Sequence, residues 1–142
     1  MKISTITEGK VVATIKPSAT LAELLKELKD RHIGALVVSD DGKRIDGIVS
    51  ERDVVRSMAA NMEGLSSLTV RELMTPNVLT CTADQTVAEI LALMTNNRVR
   101  HMPVVNAHKE LISIVSIGDL VKSHISDLDS ERSALRDYIN QQ

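Results

Sequence analysis

The sequence predicts an α+β fold in which one helix-strand-strand-helix unit occurs twice and a further helix follows. The main observation is a gap-free repeat at a spacing of 66 residues, which places Gly47–Asp53 on Ser113–Asp119. Both segments contain Ile-Val-Ser-x-x-Asp, and most other paired positions keep their polarity. The second observation is that each copy alternates helical with strand-like apolar spacing. A chain of 142 residues accommodates this pattern as one domain with a substantial core.

The first copy opens with a capped helix. Thr20 and Glu23 have the spacing of a capping box, and the leucines that follow form an apolar stripe at helical spacing. We expect this helix to end near Arg31 or His32. The pattern then predicts a strand, a hairpin turn and a second strand, at Ala35–Ser39, Asp40–Lys43 and Ile45–Ser50. A closing helix is expected to follow, with Val54, Val55 and Met58 on its buried face.

The second copy repeats this order one spacing later. Thr86 and Glu89 form the corresponding capping box ahead of an apolar helical stripe that ends near Met94. The two predicted strands follow at Met102–Asn106 and Leu111–Ser116. The apolar positions of the last helix are Leu120, Val121 and Ile125.

These patterns divide the chain into five parts: an N-terminal extension, a first repeat, a linker, a second repeat and a C-terminal helix, at residues 1–9, 10–63, 64–69, 70–125 and 126–142. The linker is indicated by Gly64-Leu65-Ser66-Ser67, which interrupts the helical pattern. The last part is expected to be an amphipathic helix whose apolar face packs against its own body or in a dimer.

The composition excludes several classes of partner. Tyr138 is the only aromatic residue and the net charge is −2 with both signs interspersed, so neither nucleic acid nor an anionic membrane is favoured. The single cysteine, Cys81, rules out an internal disulfide and a cysteine-based zinc site, and no metal site is expected. No stretch has the length and apolar character of a signal peptide or a membrane span. We therefore expect a cytoplasmic protein.

The repeated Ser-x-x-Asp segment is the candidate functional site. In each copy it lies where a buried strand becomes a helix, so free backbone N–H groups and the positive end of a helix dipole lie beside a hydroxyl and a carboxylate. Such a junction can hold an anionic or hydroxyl-rich ligand. The same spacing is that of a capping box, in which Ser50 or Ser116 caps the helix and Asp53 or Asp119 reaches back. The residues alone leave both interpretations open.

Two helix-strand-strand-helix units, each with apolar-x-Ser-x-x-Asp at the end of its last strand, resemble a tandem pair of cystathionine β-synthase (CBS) domains. Val70–Pro76 resembles the start of a repeat of that family, and Arg100–Val105 resembles its middle strand. The resemblance covers about residues 10–125, and the chain is similar to stand-alone members of the family.

The resemblance implies a regulatory module rather than a catalyst. Its two repeats are expected to pack through their sheets about a pseudo-twofold axis and to leave two clefts between them. In relatives these clefts bind adenosine compounds, namely AMP, ADP, ATP, NAD or S-adenosylmethionine. Two such pairs commonly join in a disc-shaped dimer, so we expect a homodimer that acts in signal transduction on an unidentified regulated protein.

The resemblance also implies roles for individual residues. Asp53 and Asp119 match the family aspartate that accepts hydrogen bonds from both ribose hydroxyls, which suits the two acceptor oxygens of a carboxylate. Ser50 and Ser116 match the family serine or threonine that touches ribose or phosphate. The other candidates are phosphate-binding Arg52, Arg100 and His101, the adenine-reading segments ending at Thr14 and Thr80, and apolar walls at Val99, Ile33, Ile48 and Ile114.

Three functions are compared on this basis. The main hypothesis is a sensor of an adenine nucleotide whose two clefts are unequal, because the first copy has Gly34 and Ala35 where the second has Arg100 and His101. The second is a ligand-free dimerisation scaffold in which Ser-x-x-Asp only caps helices. An enzyme ranks last, since no motif brings together a nucleophile, a base and an orienting group, and no catalytic residue is expected.

Overall fold

A computed structural model of the chain describes all 142 residues and contains two similar halves joined by a short 3-10 turn at Leu65–Ser67. The first half consists of α1 (Ile3–Thr7), β1 (Thr14–Ile15), α2 (Leu21–Arg31), β2 (Ala35–Val38), β3 (Gly47–Ser50) and α3 (Glu51–Ala60). The second half consists of α4 (Val70–Leu73), β4 (Cys81–Thr82), α5 (Val87–Asn97), β5 (His101–Val105), β6 (Leu111–Ser116) and α6 (Ile117–Asn140).

Each half contributes one three-stranded sheet. The first strand is parallel to the second and the second is antiparallel to the third, in the orders β1-β2-β3 and β4-β5-β6. The α+β fold class predicted from the repeat is therefore confirmed. The register places Ala35 opposite Ser50 and His101 opposite Ser116, so the start of each middle strand lies beside the Ser-x-x-Asp junction of its own repeat.

Helices α2 and α5 both begin at the predicted caps, and α2 ends at Arg31, as its sequence predicts. The hydroxyl oxygens of Thr20 and Thr86 each accept a hydrogen bond from the backbone N–H three residues on, at 3.2 Å in both cases. The helices end at left-handed residues, His32 with φ 53° and Arg98 with φ 54°. Because a left-handed residue closes each helix, the chain turns sharply there and directs the next residues into the space between the two halves.

The two halves have separate cores, and each core is completed by a segment that precedes the other repeat. Ile3 of α1 is fully buried in the second core, whereas Leu65, Val70 and Leu73 are buried in the first. Residues 1–9 and 64–69, which the sequence suggests are an extension and a linker, thus supply core side chains. The exchange makes the stability of each half depend on the other.

Backbone hydrogen bonds fix this exchange. The N–H of Ile3 donates to the carbonyl of Gln85 at 2.9 Å. The N–H of Val70, at the start of α4, donates in the same way to the carbonyl of Ala19 in the first half, also at 2.9 Å. The equivalent contacts on the two sides show that the pseudo-symmetry extends to the leading helices.

The predicted C-terminal helix is not a separate element, because residues 126–142 continue α6 without a break as far as Asn140. Leu120 and Ser123 are its buried residues, and every residue from Leu128 onwards is exposed. No helix of the chain combines the length and the apolar composition that crossing a bilayer requires. Cys81 lies buried in β4, and burial raises the pKa of its thiol to about 11.

Candidate functional site: two unequal clefts

Two clefts lie between the halves, and each combines the Ser-x-x-Asp junction of one repeat with the loop before the middle strand of the other. The first cleft, of about 200 Å³, is lined by the Ser50–Asp53 junction and by Arg98–His101. The second cleft, of about 470 Å³, is lined by Ser116, Asp119 and the segment 31–35. The halves therefore exchange cleft residues as well as core residues.

The first cleft is rich in arginine. Arg52 and Arg56 of α3 line one wall, and Arg98 and Arg100 line the other. The four ion pairs of the structure involve none of these guanidinium groups. Arg100 is therefore not held by a glutamate of a neighbouring helix. Four cations without a carboxylate partner make the first cleft a place where an anion is attracted.

Asp53 caps its helix with one carboxylate oxygen only. Its Oδ2 accepts hydrogen bonds from the backbone N–H of Ser50 at 2.8 Å and from Ser50 Oγ at 3.0 Å. Its Oδ1 accepts no hydrogen bond from the protein. Because a carboxylate oxygen carries two acceptor sites, capping leaves Asp53 able to accept further hydrogen bonds from a ligand hydroxyl.

Asp119 is arranged differently at the equivalent junction. Here the hydroxyl oxygen of Ser116 accepts from the backbone N–H of Asp119 at 3.1 Å, and the carboxylate takes no part in the cap. Instead, its Oδ2 lies 3.8 Å from Nζ of Lys10, with both side chains about half exposed. The charge of this carboxylate is thus partly balanced within the protein.

Arg52 spans the first cleft. Its Nη1 donates to the carbonyl oxygen of Arg98 on the opposite wall at 3.4 Å, which is long for a hydrogen bond. Gly118 stands at the equivalent position of the second junction and has no side chain to reach across. In the second cleft Arg31 is held by Glu27, with Nε 2.6 Å from the glutamate oxygen. The second cleft therefore has neither a bridging cation nor an unpaired arginine.

His101 lies between the clefts and lines both. Burial lowers the pKa of its imidazole below the usual value of 6.5, and the positive charges of Arg100 and Arg52 act in the same direction. Glu51 and Asp119, which approach it from α3 and α6, oppose this shift. The imidazole is consequently neutral near pH 7.

A family model described as CBS domain matches the chain twice, at residues 6–60 and 70–125. The chain belongs to the CBS domain family. It is 40% identical over 122 residues to an uncharacterized 17.7 kDa protein of Acidianus ambivalens, a match that covers 86% of this chain and 72% of the relative. It is 34% identical to the mitochondrial CBS domain-containing protein CBSX3 of Arabidopsis thaliana, covering 84% of this chain and 60% of that protein.

Solved CBS-domain structures share the architecture of this CBS pair. A CBS-domain-containing protein of Agrobacterium tumefaciens superposes with a TM-score of 0.81 at 33% identity, covering 87% of this chain and 92% of that one. Two CBS structures with less similar sequences carry ligands. CBSX2 is in complex with AMP (24% identity, TM-score 0.74), and the CBS domain pair of protein MJ0100 is in complex with 5'-methylthioadenosine and S-adenosyl-L-methionine (23%, 0.79).

The CBS pair brings most of the candidate residues together. Ser50, Arg52, Asp53, Val99, Arg100 and His101 line the first cleft, with Ile48 as a second apolar wall residue. Ser116, Asp119, Ile33 and Ile114 line the second cleft, which His101 also borders.

Thr14 and Thr80 do not join either cleft. Thr14 has already entered the sheet opposite Val37, and its side chain borders a separate surface groove. Thr80 borders another groove near the hairpin turn of the second repeat. Val11 and Ala13 line the second cleft instead, because the chain passes the cleft before β1 pairs with β2.

Several cleft residues are not among the candidates from the sequence. Arg56 lies one helical turn after Arg52 and lines the same cleft. The four-residue spacing in the sequence indicates that both arginines lie on one face of the helix. Arg98 is the left-handed residue that ends α5 and is the counterpart of His32 in the repeat. Lys10 contacts Asp119 from outside the predicted motifs, and nothing in its local sequence indicates this contact.

Proposed function

We propose that this CBS pair is a regulatory module that binds a phosphorylated adenosine ligand, such as AMP, ATP or NAD, in the first cleft. The observation that carries the proposal is a carboxylate with an uncommitted oxygen, Asp53, facing a group of unpaired arginines across a cleft between the repeats. A nucleotide carries the matching groups, since its ribose offers two hydroxyls and its phosphate is an anion with several acceptor oxygens.

In this proposal each part of the ligand has a partner. Asp53 accepts from the ribose hydroxyls through Oδ1, while Oδ2 keeps its cap. Arg100 and Arg98 bind the phosphate, because a guanidinium forms paired charge-assisted hydrogen bonds with phosphate oxygens. Ile48 and Val99 pack against the adenine ring.

Binding can act as a signal because the two walls of the first cleft come from different repeats. One wall belongs to α3 of the first repeat and the other to the start of β5 of the second. A ligand that binds both walls favours the packing of the repeats that fits it best, and only such a difference in affinity between two arrangements can shift their populations. Transfer of the long Arg52 bond from the Arg98 carbonyl to a phosphate would provide one such difference. We propose that a homodimer passes this change to a regulated partner protein.

Two CBS pairs of the same fold support an adenosine ligand, since one is in complex with AMP and another with 5'-methylthioadenosine and S-adenosyl-L-methionine. The surplus of arginine in the first cleft favours the phosphorylated ligands over S-adenosylmethionine, which has no phosphate. A cytoplasmic location fits this proposal and the unpaired cysteine.

Calorimetric titration and thermal shift with AMP, ATP, NAD and S-adenosylmethionine test the proposal. A ligand at a hundredfold excess over its dissociation constant is expected to stabilise the protein by about 2.7 kcal/mol.

The competing candidate is a ligand-free dimerisation scaffold, which is favoured by the observation that both Ser-x-x-Asp segments do cap their helices. It predicts no heat and no thermal shift with any of the four compounds, and that result would sink the nucleotide proposal.

We assign no catalytic step to either cleft. Incubation of ATP or NAD with the purified protein, followed by chromatography of the nucleotides, is expected to return them unchanged. Turnover that disappears in Asp53→Ala or Asp119→Ala would instead identify an enzyme.

A further inference from the structure

The exposed side of α6 carries an apolar stripe, interrupted by one arginine, which we call the seam. The seam consists of Val121, Ile125, Leu128, Leu135 and Ile139, with Arg132 between the third and fourth members. Every apolar member is exposed, and the relative solvent exposure of the residue reaches 61% at Leu135 and Ile139. The spacing alternates between four and three residues from Val121 to Ile139.

The seam has no partner within the chain. The contacts of α6 with the body are made by a different face, which includes Leu120, Ser123 and Asp127. From Leu128 onwards α6 extends beyond the body with all of its residues exposed. At 1.5 Å per residue this free part is about 20 Å long. A helix of that length gains most of its stability from packing an amphipathic face, so the seam requires a covering surface.

The residue types of the seam indicate what covers it. The alternating spacing is that of heptad positions a and d, with Ile125, Arg132 and Ile139 at a and with Val121, Leu128 and Leu135 at d. Among parallel coiled coils, isoleucine at a combined with leucine at d favours two strands. A single polar residue at an a position, here Arg132, fixes register and strand number.

The charges beside the seam favour the parallel orientation. In a parallel pair, each g residue lies next to the e residue five positions further along the partner helix. This matches Glu131 with Arg136 of the second copy and His124 with Asp129 of the second copy. The antiparallel pairing that overlaps the full seam instead places Asp129 against Asp129 and Glu131 against Glu131.

We propose that α6 pairs with α6 of a second copy of this chain as a parallel two-stranded coiled coil along Val121–Ile139. Arg132 at the centre of the seam lies beside Glu131 of the second copy in this arrangement, which offsets the charge at the a position. The surface supplies the interface of the homodimer proposed above. It involves neither cleft, so it holds or fails independently of nucleotide binding.

Sedimentation equilibrium of the full chain without nucleotide tests the interface. The wild-type protein is expected to be a dimer, and Leu135→Asp is expected to weaken dimerisation at least about 100-fold, since it removes a buried leucine from both chains and buries a charge. Ala134→Asp introduces the same residue one position away, outside the seam, and is expected to leave the dimer intact. Leu135 is exposed in the single chain, so Leu135→Asp should leave the body folded and lose helical circular dichroism only from the free part of α6. Ala134→Asp should keep the wild-type spectrum.

Orientation is tested by disulfide formation at the end of α6. Gln142→Cys is expected to cross-link readily in a parallel pair, whereas the same residues lie about 35 Å apart in the antiparallel pairing. Ser133→Cys, on the outer side of the helix, is the matched control that should not cross-link. The native Cys81 is buried and does not compete. A monomeric wild-type protein, a dimer insensitive to Leu135→Asp, or a dimer in which Gln142→Cys does not cross-link overturns the proposal.

Discussion

The two clefts of this CBS pair share one backbone plan and differ in the state of their charges. In the first cleft Asp53 keeps one carboxylate oxygen free, and the arginines around it have no ion-pair partner. In the second cleft Asp119 lies near Lys10 and Arg31 is held by Glu27. Duplication thus produced two similar frames, but only one of them has unbalanced cations beside its aspartate.

A few exchanges between equivalent positions account for the difference. Arg52 stands where the other junction has Gly118, and Arg100 stands where the other loop has Gly34. A Cβ at Gly34 would lie 3.3 Å from a carboxylate oxygen of Glu51 and 3.5 Å from Cε1 of His101, so there is little space for a larger side chain there. The repeat therefore fixes where the clefts lie, whereas single side chains decide which cleft attracts an anion.

The largest difference between the clefts is expected when their aspartates are removed. Asp53→Ala should weaken AMP binding at least about 100-fold, because two hydrogen bonds to a charged group contribute about 1.5–3 kcal/mol each. Asp119→Ala should change it less than about twofold. Isothermal titration calorimetry measures both.

Asp53→Asn is the matched control for the cap, since its amide oxygen can still accept from the Ser50 N–H. It is expected to bind AMP with an intermediate affinity. Equal losses in Asp53→Ala and Asp119→Ala would mean that the clefts are functionally equivalent.

Removal of an arginine from the first cleft is expected to weaken AMP binding about tenfold. Arg100→Ala should lower the affinity for AMP about tenfold, because it removes one charge-assisted contact to phosphate, and should leave adenosine binding unchanged. Arg31→Ala in the second cleft is the control and should alter neither affinity. Competition titration with the two ligands checks this, and a similar loss for adenosine would show that Arg100 does not act through the phosphate.

The two aspartates should differ by about 1 kcal/mol in what they contribute to the free energy of unfolding. Asp53→Ala removes the acceptor of the Ser50 N–H and hydroxyl and is expected to lower the free energy of unfolding by about 1 kcal/mol. Asp119→Ala leaves the Ser116 cap in place and removes only a half-exposed ion pair, for which a few tenths of a kcal/mol is expected. Urea denaturation measures both, and an equal loss in the two variants contradicts the difference in capping.

The smallest effect concerns His101, which the clefts share. Because burial lowers its pKa in the folded protein, the unfolded chain takes up a proton at a higher pH, and stability should decline as the pH falls below about 6.5. The melting temperature of His101→Gln should decline less steeply than that of the wild type between pH 7.5 and 5.5, and the two should match at pH 7.5. Melting temperatures across this range provide the measurement, with exposed His108→Gln as the control. An unchanged slope in His101→Gln would show that this imidazole does not contribute.

The sequence predicts the repeated elements well, because their signals are local. The capping boxes at Thr20 and Thr86 and the hairpin around Gly42 act over a few residues, and their helices and strands lie within about two residues of the expected bounds. The spacing of the repeat also places Asp53 and Asp119 at equivalent junctions without further information.

What the sequence does not reveal depends on contacts between the halves. Ile3 belongs to a predicted extension in the sequence, whereas the fold places it in the core of the second repeat. Thr14 and Thr80, which the family resemblance implies as adenine contacts, lie outside the clefts because the sheets begin at or near them. The pairing of Lys10 with Asp119 joins residues 109 positions apart, which no local pattern encodes.

The central claim is that the first cleft alone selects a phosphorylated adenosine ligand. Its most direct test is a parallel calorimetric titration of AMP and adenosine into the wild-type chain. The account predicts one AMP per chain, bound at least about tenfold more tightly than adenosine, since the phosphate adds charge-assisted contacts. Equal affinity for the two compounds, or two equivalent AMP sites per chain, would contradict it.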